Sequence, residues 1–231
     1  MHIEWFGQSA YLLTGSQKSV MIDPFVTLDA VRARGYRWEY PDIPPTRADL
    51  LLVTHEHPDH NGAEAVVGEP MTIRSTAGRF ESPIGTVTAI ASEHDPEAGT
   101  LRGANVIMSF ELDGIKVCHF GDFGQTELRP EQAVLIGQPD LLFIPVGGQS
   151  TIDGLAAAAI VAQLKPRWVI PMHYRTEAIS FLGDAETFLS SVVATEIVQQ
   201  TGSTIELDRG PDGSNVSVLV LAPPAPVSPP T

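Results

Sequence analysis

The stretch Thr54-His55-Glu56-His57-Pro58-Asp59-His60-Asn61-Gly62 gathers three of the chain's seven histidines and one aspartate within six positions. A single histidine after a strand is ordinarily a solvated or internally satisfied side chain. His55, His57, Asp59 and His60 together ask for more, because a tight turn that crowds imidazoles against a carboxylate needs a cation to offset their desolvation. Imidazole nitrogen and carboxylate oxygen are the ligands that zinc and related divalent ions select. Metal binding is the chemistry these residue types point to.

Four ligands do not complete two metal sites, and three further candidates follow predicted strands. His94 lies in Ala91-Ser92-Glu93-His94-Asp95-Pro96, Asp122 in His119-Phe120-Gly121-Asp122, and His173 in Pro171-Met172-His173-Tyr174. Each alone reads as structural. Their shared position at strand ends, where loops carry function, is the informative part.

The elements that must position these residues can be read from hydrophobic patterning. Short strands are expected over Ile3–Phe6, Ala10–Thr14 and Ser19–Ile22, the last ended by Asp23-Pro24. A long connection, Thr27 to Ala48, carries Tyr36, Trp38 and Tyr40 among several prolines; it is either a lid or pocket wall, or a loop whose aromatics pack onto the body. The apolar run Leu50-Leu51-Leu52-Val53 leads into the histidine motif, after which Asn61–Val67 is expected to open a helix. Strands follow over Met71–Ser75, Thr86–Ala91, Asn105–Leu112 and Ile115–Phe120. Then come a buried strand Asp140–Val146, a helix Asp153–Leu164, a strand Trp168–Pro171 and an amphipathic helix Asp184–Gln200 that Asp184 would cap. Ser203–Leu207 and Val216–Leu221 close a single domain, residues 1–221. Residues 222–231 read as a proline-rich disordered tail. Many strands first, then strand–helix alternation, suggest an α+β fold with two sheets and helices outside them.

With 231 residues, 43% of them hydrophobic, the chain can bury a substantial core. Its formal net charge of −14 and the absence of any Lys/Arg run make nucleic acid and anionic membranes poor partners, and neither is expected. Cys118 is the only cysteine, so no internal disulfide exists. No signal peptide or membrane-spanning run is visible, and a cytoplasmic protein acting on a small-molecule substrate is expected.

The His-x-His-x-Asp-His run after a strand, followed in order by His, Asp and His, resembles the metallo-β-lactamase superfamily over nearly the whole chain. Asp23-Pro24, His119-Phe120-Gly121-Asp122, Pro145-Val146-Gly147-Gly148 and Ile170-Pro171-Met172-His173-Tyr174 look most like the small metal-dependent hydrolases related to L-ascorbate 6-phosphate lactonase. The resemblance implies a four-layer αββα sandwich. It assigns His55, His57 and His94 to one divalent ion, and Asp59, His60 and His173 to a second, with Asp122 bridging. Zinc suits the histidines, and the carboxylates also admit manganese or iron. Two such ions sharing a water supply hydroxide near neutral pH for attack on a small ester, lactone or phosphoester. Asp59 then both binds metal and orients the nucleophile, while Ser9, Ser150 and Cys118 are read as structural.

Other residues keep two readings. His119 is a buried hydrogen-bonding residue or a catalytic proton donor. Asp23 either holds a ligand imidazole in its tautomer or simply forms an Asp-Pro turn. Tyr174 and Arg175 follow a ligand and could reach substrate, Arg175 through an anionic group, unless it is a plain surface arginine. The rival functions are an RNA-processing nuclease, a redox di-iron protein and a non-catalytic metal-binding module. The acidic chain disfavours the first, His57 in the middle ligand position the second, and the complete ligand set the third.

Overall fold

Alternating apolar and polar residues build the opening strands of the chain, whose computed structural model describes residues 1–26, 28–209 and 215–225. In β1 (His2–Gly7) Ile3, Trp5 and Gly7 face inward while their neighbours are partly exposed. Next come β2 (Ala10–Thr14), β3 (Ser19–Ile22), α1 (Asp29–Ala33), β4 (Thr46–Arg47) and β5 (Leu50–Val53). After the histidine motif follow β6 (Val66–Val67), β7 (Met71–Arg74), β8 (Gly78–Ser82), β9 (Gly85–Glu93), β10 (Ala104–Leu112) and β11 (Ile115–His119). The last part contains α2 (Pro130–Ile136), β12 (Leu141–Pro145), α3 (Gly154–Leu164), β13 (Trp168–Met172), α4 (Glu186–Ser191), β14 (Glu196–Gln199), β15 (Thr204–Glu206) and β16 (Ser217–Val220).

Two sheets result. One has the order β15-β1-β2-β3-β5-β7, the other β14-β16-β13-β12-β11-β10-β9-β8, and β4 and β6 make a separate small pair. The continuously apolar β5 and β12 are interior strands, parallel to neighbours on both sides, with every residue buried. Between the sheets Ile3, Leu13, Val20, Ile22, Leu50 and Leu52 join Val87, Ile107, Val117 and Phe143 in one core. Helices α2 and α3 pack on the larger sheet, and α4 packs on α3. The outer face of the smaller sheet, with Met21, Leu51 and Val53, is covered by Phe25, Leu28, Trp38, Tyr40, Ile43, Ile179 and Leu182. The four-layer arrangement is thus present, with one outer layer made mostly of loops. No helix of the described residues is long and apolar enough to cross a membrane.

Several elements differ from expectation. The helix expected over Asn61–Val67 is one 3-10 turn, Ala63–Ala65, followed by β6; β6 instead pairs in parallel with β4. The helix expected over Asp184–Gln200 stops at Ser191, and Glu196–Gln199 becomes a strand parallel to β16. Val192, Val193, Thr195, Ile197 and Val198 are β-branched and disfavour helix. Asp184 accepts the Glu186 N–H at 3.1 Å, but Ala185 occupies the cap position. The reading of α3 holds: Asp153 caps it by accepting the Ala156 N–H at 2.9 Å. Beyond Leu221, Ala222 donates to the Gly202 carbonyl at 3.1 Å and Pro223 and Pro224 are half-buried. The rest of the expected tail, 226–231, lies outside the described residues.

Candidate metal centre

The motif turn begins where β5 ends and is fixed from three sides. Gly62 donates to the Pro24 carbonyl at 2.6 Å; a Cβ there would stand 2.5 Å from the Phe25 carbonyl carbon, so only glycine permits the approach. Glu56 points away from the histidines and accepts from Arg74 Nε at 2.8 Å, Arg74 Nη2 at 2.6 Å, Ser75 Oγ at 2.6 Å and Asn61 Nδ2 at 2.8 Å. It clamps the turn to the end of β7. Asp23, buried at the end of β3, accepts the Thr54 N–H and hydroxyl, each at 2.7 Å, and His60 Nδ1–H at 2.9 Å. A carboxylate at that distance keeps the imidazole proton on Nδ1.

All seven predicted ligands converge. His55, His57 and His94 form one group, and Asp59, His60, Asp122 and His173 another, the donor atoms within each group lying within 4.8 Å of one another. Asp122 stands between the groups. Its Oδ1 is 3.1 Å from His60 Nε2, while its Oδ2 is 3.1 Å from His94 Nε2 and 3.2 Å from His173 Nε2. His55 Nε2 and His57 Nδ1 approach to 3.1 Å. Asn105 holds the Asp122 segment: its Oδ1 accepts the Asp122 N–H at 3.1 Å, and its Nδ2 donates to the Phe120 carbonyl at 2.9 Å. His94 and Asp122 are buried, whereas His57 and Asp59 are half-buried and form the solvent side of the centre.

The electrostatics suit a cation. Burial alone would push the Asp122 carboxyl up, but His173 and His60 outweigh it and hold it well below the usual range. Burial likewise pushes His60 down, and the Asp122, Asp59 and Asp23 carboxylates reverse the direction, raising it well above an ordinary imidazole. Asp59 is lowered, its burial overcome by His60 and His173. His55 is lowered well below normal by burial and by the neighbouring His60. Buried His60 Nε2, His173 Nε2 and Asp122 Oδ1 have no well-formed hydrogen bond among the described residues. Such inward-facing orphans are costly, and nitrogen and carboxylate donors in this arrangement fit divalent transition metals.

The remaining predicted residues part company. His119 is fully buried and donates Nε2–H to the Ser9 carbonyl at 3.0 Å, while its Nδ1 accepts the Gly121 N–H at 3.1 Å. Both nitrogens are engaged by the main chain, so His119 straps β11 to the β1–β2 turn. Trp38 and Tyr40 are 1% and 3% exposed, packed with Phe25 and Ile179 on the outer face of the smaller sheet. They anchor the loop to the body; Tyr36, 49% exposed, lies against Phe181. Arg175 is an exposed residue whose guanidinium pairs with Asp184 at 2.7 Å. Tyr174 stacks on Trp5, ring centroids 6.1 Å apart, and burial pushes its phenol up to about 12. Cys118 is buried and its thiol is pushed up by burial, in keeping with a structural role. Glu56, Thr54 and Asn105 were missed; only the position of Thr54 directly before the motif offered a signal.

Similarity to known proteins agrees with this geometry. A profile of the Beta-lactamase superfamily domain matches residues 2–173. A UPF0173 metal-dependent hydrolase of Thermococcus onnurineus is 31% identical over 234 residues, covering 89% of this chain and 99% of that protein. Another, from Methanoregula boonei, is 32% identical over 221 residues, covering 83% and 90%. The crystal structure of a Thermotoga maritima protein, a candidate Zn-dependent hydrolase of the metallo-beta-lactamase superfamily, superposes with a TM-score of 0.72 at 30% identity, covering 95% of this chain and 98% of that one. The chain belongs to the metallo-β-lactamase superfamily, within its UPF0173 family of metal-dependent hydrolases.

Proposed function

We propose that this metal-dependent hydrolase works with two divalent ions, zinc the best suited, and cleaves a small ester, lactone or phosphoester. The observation that carries the reading is Asp122, whose two carboxylate oxygens face histidines of different ligand groups. His55, His57 and His94 would hold one ion and Asp59, His60 and His173 the other. When bound, such ions lower the pKa of water toward neutrality and polarise an acyl or phosphoryl oxygen. The chain's own contribution is positioning. Asp23 keeps the His60 proton on Nδ1 and leaves Nε2 to face inward. Asp59, the accessible carboxylate of its group, stays ionised and can accept a hydrogen bond from an attacking water, orienting it. Water is the nucleophile in this reading, since Cys118 is buried and Ser9 Oγ has no hydrogen-bonded base among the described residues. The net charge of −14 supports a small substrate over RNA.

Elemental analysis of metal-reconstituted protein, together with a panel of esters, lactones and phosphoesters, tests the reading. Two metals per chain and turnover abolished by Asp122→Ala are expected. A single metal per chain would overturn the paired site; a panel turned over no faster by wild type than by Asp122→Ala would overturn the substrate class.

A further inference from the structure

The tight turn between β1 and β2, Gly7-Gln8-Ser9-Ala10, carries polar side chains that the reading above leaves unused. Its main chain is tied down: Trp5 Nε1–H donates to the Gln8 carbonyl at 3.0 Å, and His119 Nε2–H to the Ser9 carbonyl at 3.0 Å. The Tyr40 ring packs where a Gly7 side chain would be. The side chains are not tied down. Gln8 Oε1 and Nε2, Ser9 Oγ and the Tyr11 hydroxyl are all buried and have no hydrogen-bond partner among the described residues. Buried donors and acceptors left unmet are costly, so three on the turn and a fourth on Tyr11, just inside β2, call for a ligand.

Gln8 also holds a positive φ of 49°, a conformation that a glycine or asparagine would adopt at lower cost. Asp23 and His173, both at the metal centre, share this strain at φ 46° and 50°. Strained backbone that the surroundings hold in place gathers at functional sites. The turn lies beside that centre. Tyr11 meets the His119 ring edge-on with centroids 6.0 Å apart, His119 leads to Asp122, and Trp5 stacks on Tyr174, the residue after the ligand His173. Tyr174, at 8% exposure, is the least buried of these surrounding side chains.

The four unpartnered atoms are one amide and two hydroxyls, with no charge among them. They match a neutral group that both donates and accepts, and they offer nothing to balance a carboxylate or phosphate. We propose that Gln8, with Ser9 and Tyr11, forms a subsite for an uncharged hydroxyl- or carboxamide-bearing part of the substrate. The subsite rests on the hydrolase reading above and narrows its substrate class toward neutral, hydroxylated or amidated esters and lactones.

The test compares γ-butyrolactone with α-hydroxy-γ-butyrolactone on the zinc-reconstituted full chain. In wild type the hydroxylated lactone is preferred. Gln8→Met, similar in length but unable to hydrogen-bond, lowers the kcat/KM ratio between the two lactones by roughly tenfold to a hundredfold. Tyr11→Phe shifts the ratio in the same direction. An unchanged ratio, with both lactones falling together and a lower Tm, would make the turn purely structural and overturn the proposal. Binding is read separately by the Gln8 side-chain amide pair in 15N–1H spectra, identified by its loss in Gln8→Met. Its movement with the hydroxylated lactone alone supports the subsite even if neither lactone is hydrolysed, a result that would count against the hydrolase reading and not against the subsite. An amide pair that moves with neither probe, as in a turn that binds only water, overturns it.

Discussion

Asp23 Oδ2 accepts the His60 Nδ1 proton at 2.9 Å, with both side chains fully buried. Because Nδ1 is committed, His60 presents Nε2 to Asp122, 3.1 Å away. Asp23→Asn preserves the shape and an acceptor for the Thr54 N–H but weakens the charge that makes Nε2 a good donor to metal. Metal affinity should fall by about 10–100-fold, measured by competition with a chelator of known affinity. An affinity equal to wild type would mean that Asp23 only braces the turn.

Asp122 and His119 lie three residues apart and should behave in opposite ways. Asp122 touches both histidine groups, so Asp122→Ala should empty the centre of metal. His119→Ala should keep the metal and lose stability, since the Ser9 carbonyl and the Gly121 N–H lose their partner, at about 1–3 kcal/mol for a buried group left unmet. Metal content and denaturant melts of the two variants decide the matter; metal loss from His119→Ala would place it among the ligands.

These two residues also show what could be read from sequence. The seven candidate ligands were legible because four share one turn and three follow patterned strands, so neither inference needed tertiary contacts. The committed state of His119 was not legible, because its partner Ser9 lies 110 residues away. Glu56 and Asn105 escaped for the same reason, their partners Arg74 and Phe120 being 18 and 15 positions off. The missed β8 has only Phe80 as an apolar side chain and exists by pairing with β9. The segment 192–199 could satisfy a helical or an extended period, and the parallel partner β16 decided between them.

The loop aromatics should act on stability and not on substrate binding. Trp38 meets Phe25 edge-on at 5.1 Å and Tyr40 at 5.6 Å, and Tyr40 is hydrogen-bonded to Thr176 Oγ1 at 3.0 Å. Trp38→Ala removes a buried indole and should cost roughly 3–5 kcal/mol. Tyr36→Ala, at a half-exposed position, should stay within about 0.5 kcal/mol of wild type. Thermal melts alongside KM on any hydrolysed ester check this; a raised KM in Trp38→Ala with an unchanged Tm would restore the lid.

The clamp on the motif turn should make stability depend on pH in a defined direction. Arg74 above all, with help from Ser75 and Asn61, holds the Glu56 carboxyl at about 2 against an ordinary 4.5, overcoming the opposing effect of burial. A folded-state value below the unfolded one means that the folded protein resists protonation here. The contribution is therefore complete above pH 4.5 and fades as pH falls toward 2. Glu56 is 47% exposed, so solvent screening limits the contribution to about 1 kcal/mol. Chelator-treated wild type and Glu56→Gln, compared by melts across this range, isolate it from the other carboxylates. Wild type should melt higher at pH 6, and the gap should close as the pH drops through the window. A gap that persists at pH 2 would assign the clamp to neutral hydrogen bonds and remove its charge from the account of how the ligand turn is held.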